Sequence, residues 1–252
     1  MISRNLINKT IAYFEKYSNE SFVVTPSLPI LYFGDLSAYQ NSELKVITVG
    51  KNPSSIEFSK TKEDENFSFF RFPLWNNRQY NLVEALNEYF EVDPYMKWFS
   101  CFEPILKGMQ SSYRSVDGYP NIALHTDICS PLATKPTWTI LKREQQKSLF
   151  EEGFEIWKEL IEELQPDVML ISVPRVLLHG IAPTGKELIT FDKTKNGGKR
   201  KTTYVVTEHI YPLRSGKVTK IIFGQAANKP FDTISSEQKV EIGQTIINNF
   251  NL

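Results

Sequence analysis

Four short runs of the chain are apolar almost without interruption: residues 45–49 (Lys-Val-Ile-Thr-Val), 121–125 (Asn-Ile-Ala-Leu-His), 167–172 (Asp-Val-Met-Leu-Ile-Ser) and 220–224 (Lys-Ile-Ile-Phe-Gly). Continuous rather than alternating hydrophobicity is expected of strands covered on both faces, as in a parallel sheet. Between these runs, apolar positions recur at helical spacing. Phe150, Phe154, Trp157, Leu160, Ile161 and Leu164 share one face, and Pro166 ends the pattern. Val83, Leu86 and Phe90 define a second helical face; Ile7, Ile11 and Phe14 predict an opening helix, and Val240, Ile242, Ile246 and Ile247 a closing one. Strand, crossover and strand in alternation predict a three-layer α/β/α architecture around a central four-stranded parallel sheet. A fifth run, residues 203–211, meets the last strand through Leu213-Arg-Ser-Gly-Lys217, which predicts a hairpin adding an antiparallel edge element. Residues 193–201 (Lys-Thr-Lys-Asn-Gly-Gly-Lys-Arg-Lys) read as a mobile basic loop, either a solvated turn or a DNA contact. No repeat or low-complexity linker divides the chain, so a single α/β domain over residues 1–252 is expected.

Composition narrows the classes. At 252 residues the chain can bury a substantial core without disulfides or metals. Lys plus Arg equals Asp plus Glu at 29 each, which argues against a histone-like, charge-driven nucleic-acid binder but leaves room for a local basic face. Two cysteines, Cys101 and Cys129, cannot supply a four-thiolate zinc or iron–sulfur site and fit a reducing compartment. Met1-Ile-Ser-Arg-Asn5 has no apolar signal core and no segment is long and apolar enough to span a bilayer, so a soluble cytoplasmic protein without membrane partners is expected. Aromatics reach 13%, enough to serve stacking surfaces as well as the core.

Ligands of open parallel sheets gather beyond the carboxyl ends of the strands. After the first strand comes Gly50-Lys-Asn-Pro-Ser-Ser55. Its glycine permits a sharp turn, the Asn52 carbonyl oxygen can orient a water, and Ser54 and Ser55 offer hydroxyls and backbone donors to a phosphate. The pattern is short enough to be an ordinary βα turn. It is neither a Walker sequence nor a Gly-x-Gly-x-x-Gly dinucleotide turn. After the second strand comes His125-Thr-Asp-Ile-Cys-Ser-Pro-Leu-Ala-Thr-Lys-Pro-Thr-Trp138. His125 and Asp127, two apart in extended chain, share a face and form a candidate recognition pair or a structural hydrogen bond. The third strand ends in Ser172-Val-Pro174 and the fourth in Gly224-Gln-Ala-Ala-Asn-Lys-Pro-Phe231. Small, polar or proline residues at all four strand ends predict a site there.

On these segments the chain resembles the uracil-DNA glycosylase superfamily, from about Leu44 to the C-terminal helix. Val49-Gly-Lys-Asn-Pro-Ser-Ser55 looks like the water-activating motif of the mismatch-specific and single-strand-selective branches, which use Asn rather than Asp. The segment from His125 to Trp138 looks like the strand that reads the flipped base. The resemblance implies a four-stranded parallel sheet with DNA across its carboxyl edge, no cofactor or metal, and a monomer. It makes Asn52 the water-positioning residue and gives Phe69 or Phe70, in Phe67-Ser-Phe-Phe-Arg-Phe72, the task of stacking on the base. It places Lys135, Pro136 and Thr137 in a loop that pinches the DNA strand and Ser172 in a loop that grips phosphate. Residues 225–231, with Gln225, Asn228 and Lys229, fall where the minor-groove loop belongs, and Pro230 or Phe231 would be the wedge. The family's His-Pro-Ser motif after the last strand is replaced by Gln225-Ala-Ala-Asn228, so His209 in the preceding strand becomes the substitute imidazole for the departing base.

The expected activity is therefore a monofunctional DNA glycosylase that hydrolyses the N-glycosidic bond of a flipped base in repair or phage defence. Aligned from the strand start, His125 takes the base-reading place; aligned from Cys129, Asp127 does. An ionised Asp only accepts hydrogen bonds, which suits the exocyclic amine of a cytosine better than O4 of uracil. The substrate is then a modified cytosine, such as glucosylated hydroxymethylcytosine, or uracil. The competing class is a non-catalytic DNA- or nucleotide-binding module on the same fold; hydrolysis of a free nucleoside is a further alternative.

Overall fold

The structure is a computed structural model that describes residues 1–75, 82–224 and 229–249. In chain order its helices are α1 (Arg4–Tyr17), α2 (Leu36–Asn41), α3 (Leu82–Asn87), α4 (Tyr89–Val92), α5 (Met96–Phe99), α6 (Glu103–Gly108), α7 (Arg143–Leu164), α8 (Arg175–Ile181) and α9 (Ser236–Asn248). The strands are β1 (Val46–Gly50), β2 (Ser111–Ser112), β3 (Asn121–Ile122), β4 (Leu124–Asp127), β5 (Val168–Ile171), β6 (Gly185–Lys193), β7 (Lys199–Pro212) and β8 (Val218–Gly224). The fold is α/β with a mixed six-stranded sheet of order β4-β1-β5-β8-β7-β6 and a two-stranded sheet, β2-β3. No described helix is long and apolar enough to cross a membrane. The described chain falls into two compact units, one made of Met1–Ser37, Gly50–Tyr95 and Leu124–Leu164, the other of Ala38–Val49, Met96–Ala123 and Gln165–Leu252.

The first unit holds α1 and α7, two of the amphipathic helices expected from their apolar spacing; the third expected in this unit, through Val83, Leu86 and Phe90, is instead two short helices, α3 and α4. Ser3 caps α1 by accepting the Leu6 N–H, and Leu6, Ile11 and Tyr17 are buried along its face. Helix α7 starts earlier than the apolar run alone predicts and buries Leu149, Ile156, Trp157, Leu160, Ile161 and Leu164. Tyr13 of α1 donates to the Leu149 carbonyl at 2.8 Å, and the Trp157 indole donates to Thr126 at 3.0 Å, so both buried polar groups are satisfied. Much of the aromatic content is core. Phe72 lies between Phe58 and Tyr89 with ring centroids at 5.5 and 5.4 Å, and Phe33 meets Tyr89 at 4.4 Å.

In the second unit β1, β5 and β8 run parallel, with Val46, Val168 and Lys220 in register. Their apolar runs are buried on both faces, as continuous hydrophobicity requires. Strand β7 pairs antiparallel with β8 through the 213–217 turn, in which Leu213 and Lys217 are bonded and Gly216 takes a positive φ of 85°. The hairpin is as expected, but β7 is not the edge: β6 pairs antiparallel on its other side and forms the edge of the sheet. Two further features differ from the expectation. The run over residues 121–125 is not one strand: Asn121–Ile122 pairs with Ser111–Ser112 in the small sheet, and β4 begins only at Leu124. The expected loop 193–201 is instead the end of β6, a tight turn with Gly197 at φ 81°, and the start of β7. Strand β6 escapes a hydrophobicity reading because it is an edge strand, largely exposed, with Phe191 its one buried side chain.

Candidate functional site

The geometry around the Gly50-to-Ser55 turn begins with the close approach of β4. Residues alternate across a strand, so His125 and Asp127, two apart within β4, project on one side. Both reach Gly50: a Cβ placed on that residue would lie 2.4 Å from Asp127 Oδ1 and 3.2 Å from His125 Nε2. Only a glycine admits them. His125 Nε2 and Asp127 Oδ1 are 3.6 Å apart and nearly sealed from solvent. The His125 backbone exchanges both hydrogen bonds with Phe33, and its ring lies 5.7 Å from the Phe33 ring. Beyond the strand, the N–H groups of Ile128 and Cys129 donate to the carbonyls of Gly50 and Lys51, which locks the turn to the β4 exit.

Asn52 is the most constrained polar group of the turn. Its Nδ2 donates to the carbonyls of Pro53 and Leu132 and to Thr134 Oγ1, each at 3.1 Å. Carbonyl oxygens only accept, so these contacts fix which end of the amide carries the nitrogen. No described residue donates to Asn52 Oδ1, which leaves that oxygen as an oriented acceptor on a half-buried side chain. Ser54 caps the short 3-10 turn Ser55–Phe58, its hydroxyl oxygen accepting the Ile56 N–H, and Ser55 is buried.

That 3-10 turn also carries a group sequence reasoning missed. Glu57 is buried beneath Tyr89, whose hydroxyl donates to Glu57 Oε2 at 2.5 Å. Burial pushes the Glu57 carboxyl up to about 8; the Tyr89 bond and the Arg71 guanidinium pull it down, and the Asp127 charge pushes it up further. Arg71 is itself buried, donating through Nη1 to the carbonyls of Ile56 (2.7 Å) and Ser59 (3.3 Å), while its Nε has no partner among the described residues. Lys51, half-buried near Cys129 and Asp127, has its pKa lowered by loss of solvent. A glutamate between Ile56 and Phe58 gives no hint of burial in the sequence; its only signal is its place directly after the turn.

Among the other predicted residues of this unit, Phe69 and Phe70 are partly exposed. The Phe69 ring stands edge-on to Phe58 at 6.3 Å, and Phe70 supports the Arg71 guanidinium at 4.3 Å. Phe72, from the same run, is core. Lys135 sits 5.5 Å from the Phe67 ring and 3.4 Å from Glu65, and Pro136 and Thr137 are exposed. Thr134, beside them, is paired with Ser54 and Val23 and so ties the Lys135-to-Thr137 loop to the Asn52 turn.

The remaining predicted residues belong to the second unit. Ser172 follows β5 and is buried, its N–H donating to the Val49 carbonyl at 2.9 Å. His209 is buried in β7 with both ring nitrogens engaged, Nδ1 with the Ala182 carbonyl at 2.8 Å and Nε2 with Thr207 Oγ1 at 3.0 Å. Lys229 is exposed, whereas Pro230 and Phe231 are buried. Phe231, at φ 49°, fills the space over Gly224 and meets Phe102 at 6.1 Å, so its ring is packed inward rather than displayed as a wedge. Gln225 and Asn228 lie outside the described residues. A cleft of about 480 Å³ in this unit, lined by Glu103, Lys107, Ser111, Asp117 and Ser236, contains none of the predicted site residues. Among the described residues no group of three His, Cys, Asp or Glu side chains converges to hold a metal ion. No protein-family model matches this chain, and a search of curated proteins finds no match to it.

Proposed function

We propose that the protein is a monofunctional DNA glycosylase on a three-layer, uracil-DNA-glycosylase-like fold with a parallel four-stranded core, acting on DNA in the cytoplasm in base repair or phage defence. The observation that carries this reading is the Asn52 amide, whose nitrogen is held by two carbonyls while Oδ1 remains an acceptor to which no described residue donates. An acceptor held in that way aligns a water without being a strong base, which suits attack on a sugar carbon that has already gained oxocarbenium character. The glycosidic electron pair leaves with the base, the water oxygen bonds to C1′, and the water proton passes to the base or to solvent.

Asp127, next to His125 and against Gly50, supports a modified cytosine as substrate. A carboxylate accepts from the exocyclic amine and offers nothing to a carbonyl at the same place. A second reading, a DNA-binding module without hydrolysis, draws on His209. Its two nitrogens are occupied by Ala182 and Thr207, so the substitute imidazole expected for the departing base is already committed.

The deciding experiment is mass spectrometry of bases released from DNA containing uracil and from DNA containing glucosylated hydroxymethylcytosine, with Asn52→Ala beside the wild type. Release of the modified cytosine, lost in the variant, is expected. Release of uracil alone overturns the substrate assignment. Release of neither, with DNA still bound, favours the binding module.

A further inference from the structure

The β6–β7 hairpin concentrates positive charge on a chain whose formal net charge is zero. Residues 193–201 carry Lys193, Lys195, Lys199, Arg200 and Lys201 and no acid. Register shows where they stand. Among the described residues the last pairing of β7 with β8 is Val206 with Gly224, and β7 extends on from there to Lys199, about 20 Å further at ~3.3 Å per residue. That stretch forms a two-stranded ribbon with the end of β6.

The ribbon is braced from one side. Arg200 donates through Nε to the Lys193 carbonyl at 3.0 Å and through Nη2 to the carbonyl and hydroxyl of Thr233, and its guanidinium lies 5.3 Å from the Tyr204 ring. The Lys195 N–H also donates to the Thr233 carbonyl, and Gln238 of α9 donates to the Lys193 carbonyl at 3.1 Å. The four lysines are exposed, and among the described residues no carboxylate lies within 4 Å of any of them. Lys193 and Lys199 face each other directly across the two strands. Like charges in that arrangement destabilise a hairpin unless an anion lies over them.

We infer that this braced ribbon is a docking arm for the phosphate backbone of duplex DNA, with Lys193, Lys195, Lys199 and Lys201 as its sequence-independent contacts. A two-stranded ribbon matches the width of the major groove, and lysines on a braced support meet phosphates without reading bases. The tip does not suit a membrane: no apolar side chain lies between Phe191 and Tyr204, and both of those are buried. The inference rests on the glycosylase reading for the identity of the polyanion, but its test needs no chemistry.

The test is fluorescence anisotropy of the full chain on a duplex of about 25 base pairs between about 50 and about 200 mM salt. The wild type is compared with a quadruple variant, Lys193→Ser, Lys195→Ser, Lys199→Ser and Lys201→Ser, whose thermal unfolding is checked first. The arm is expected to give a weaker complex in the variant and to shrink the slope of log affinity against log salt by about 3 to 4, roughly one per lysine. An unchanged slope overturns it. Wild-type binding to anionic phosphatidylserine vesicles but not to duplex overturns it in favour of a lipid surface. A lysine-dependent slope without base release from any DNA keeps the arm and removes the glycosylase reading, and base release with an unchanged slope does the reverse.

Discussion

Gly50 and Asp127 meet so closely that a methyl group on the glycine would sit 2.4 Å from Asp127 Oδ1 and 3.2 Å from His125 Nε2. The glycine at the end of β1 therefore holds open the place where the two candidate base-reading groups lie. Gly50→Ala is expected to displace the carboxylate and lower base release by roughly a hundredfold, the scale of loss that follows a misplacement of about 1 Å. Circular dichroism should find the secondary structure intact, because the crowding atoms are side-chain ends rather than backbone. Wild-type turnover by Gly50→Ala would show that the Asp127 position does not matter to the reaction.

Asn52 differs from a water-positioning aspartate in what its other end does. Its nitrogen serves Pro53, Leu132 and Thr134 at 3.1 Å each. An aspartate would set an oxygen against two carbonyl oxygens and leave both without their donor. Asn52→Asp is expected to cost about 1–3 kcal/mol of stability, the usual penalty for unsatisfied buried polar groups, in addition to its effect on base release. Urea unfolding measures the cost, and a variant as stable as the wild type would mean that the amide orientation is not structural.

The buried carboxyl of Glu57 makes stability depend on pH. Its pKa is raised from an ordinary 4.5 to about 8, chiefly by burial, with Tyr89, Arg71 and Asp127 as the surrounding groups. Below 4.5 the folded and unfolded chains both hold the proton. Between 4.5 and 8 the unfolded chain releases it and the folded chain keeps it, so this contribution to stability is lost as pH rises through the window and levels off above 8. The loss is on the order of 5 kcal/mol. Glu57→Gln preserves an acceptor for the Tyr89 hydroxyl and cannot ionise. Its stability relative to wild type is expected to rise between pH 5 and pH 8 in parallel urea titrations; a constant difference would place Glu57 in a more solvated setting.

These residues also mark how far the sequence could be read. The parallel strands β1, β5 and β8 were legible because burial on both faces writes itself as uninterrupted apolar residues, and α1, α7 and α9 because their apolar spacing matches the helical period. Gly50, Asn52, His125 and Asp127 stood out because they fall where strand ends converge. Strand β6 was hidden by its exposure, and the break at Ala123 by the fact that two different pairings share one apolar run. Glu57 and Arg71 were invisible for another reason. Their burial depends on the Phe58, Phe72 and Tyr89 cluster closing over them, a tertiary event that leaves no periodic trace. Phe231 illustrates the converse: an aromatic ring in a loop after a strand looks available for insertion, yet the missing side chain of Gly224 supplies a socket for it.

His209 separates an imidazole that holds the sheet from one that serves a reaction. Its nitrogens engage the Ala182 carbonyl and Thr207 Oγ1, and its ring packs so tightly on Gly185 that a Cβ there would lie 2.4 Å from Cε1. Such a ring ties the start of β6 and the end of α8 to β7. His209→Ala is expected to lower stability by about 2–3 kcal/mol through the cavity and the orphaned carbonyl. The single-turnover rate of base release, measured well below the unfolding midpoint at saturating enzyme, is expected to stay within about threefold of wild type, because no ring nitrogen is left to meet a departing base. A fall of about a hundredfold or more in that rate, with unfolding unchanged, would return the histidine to the chemistry and require its hydrogen bonds to open when DNA binds.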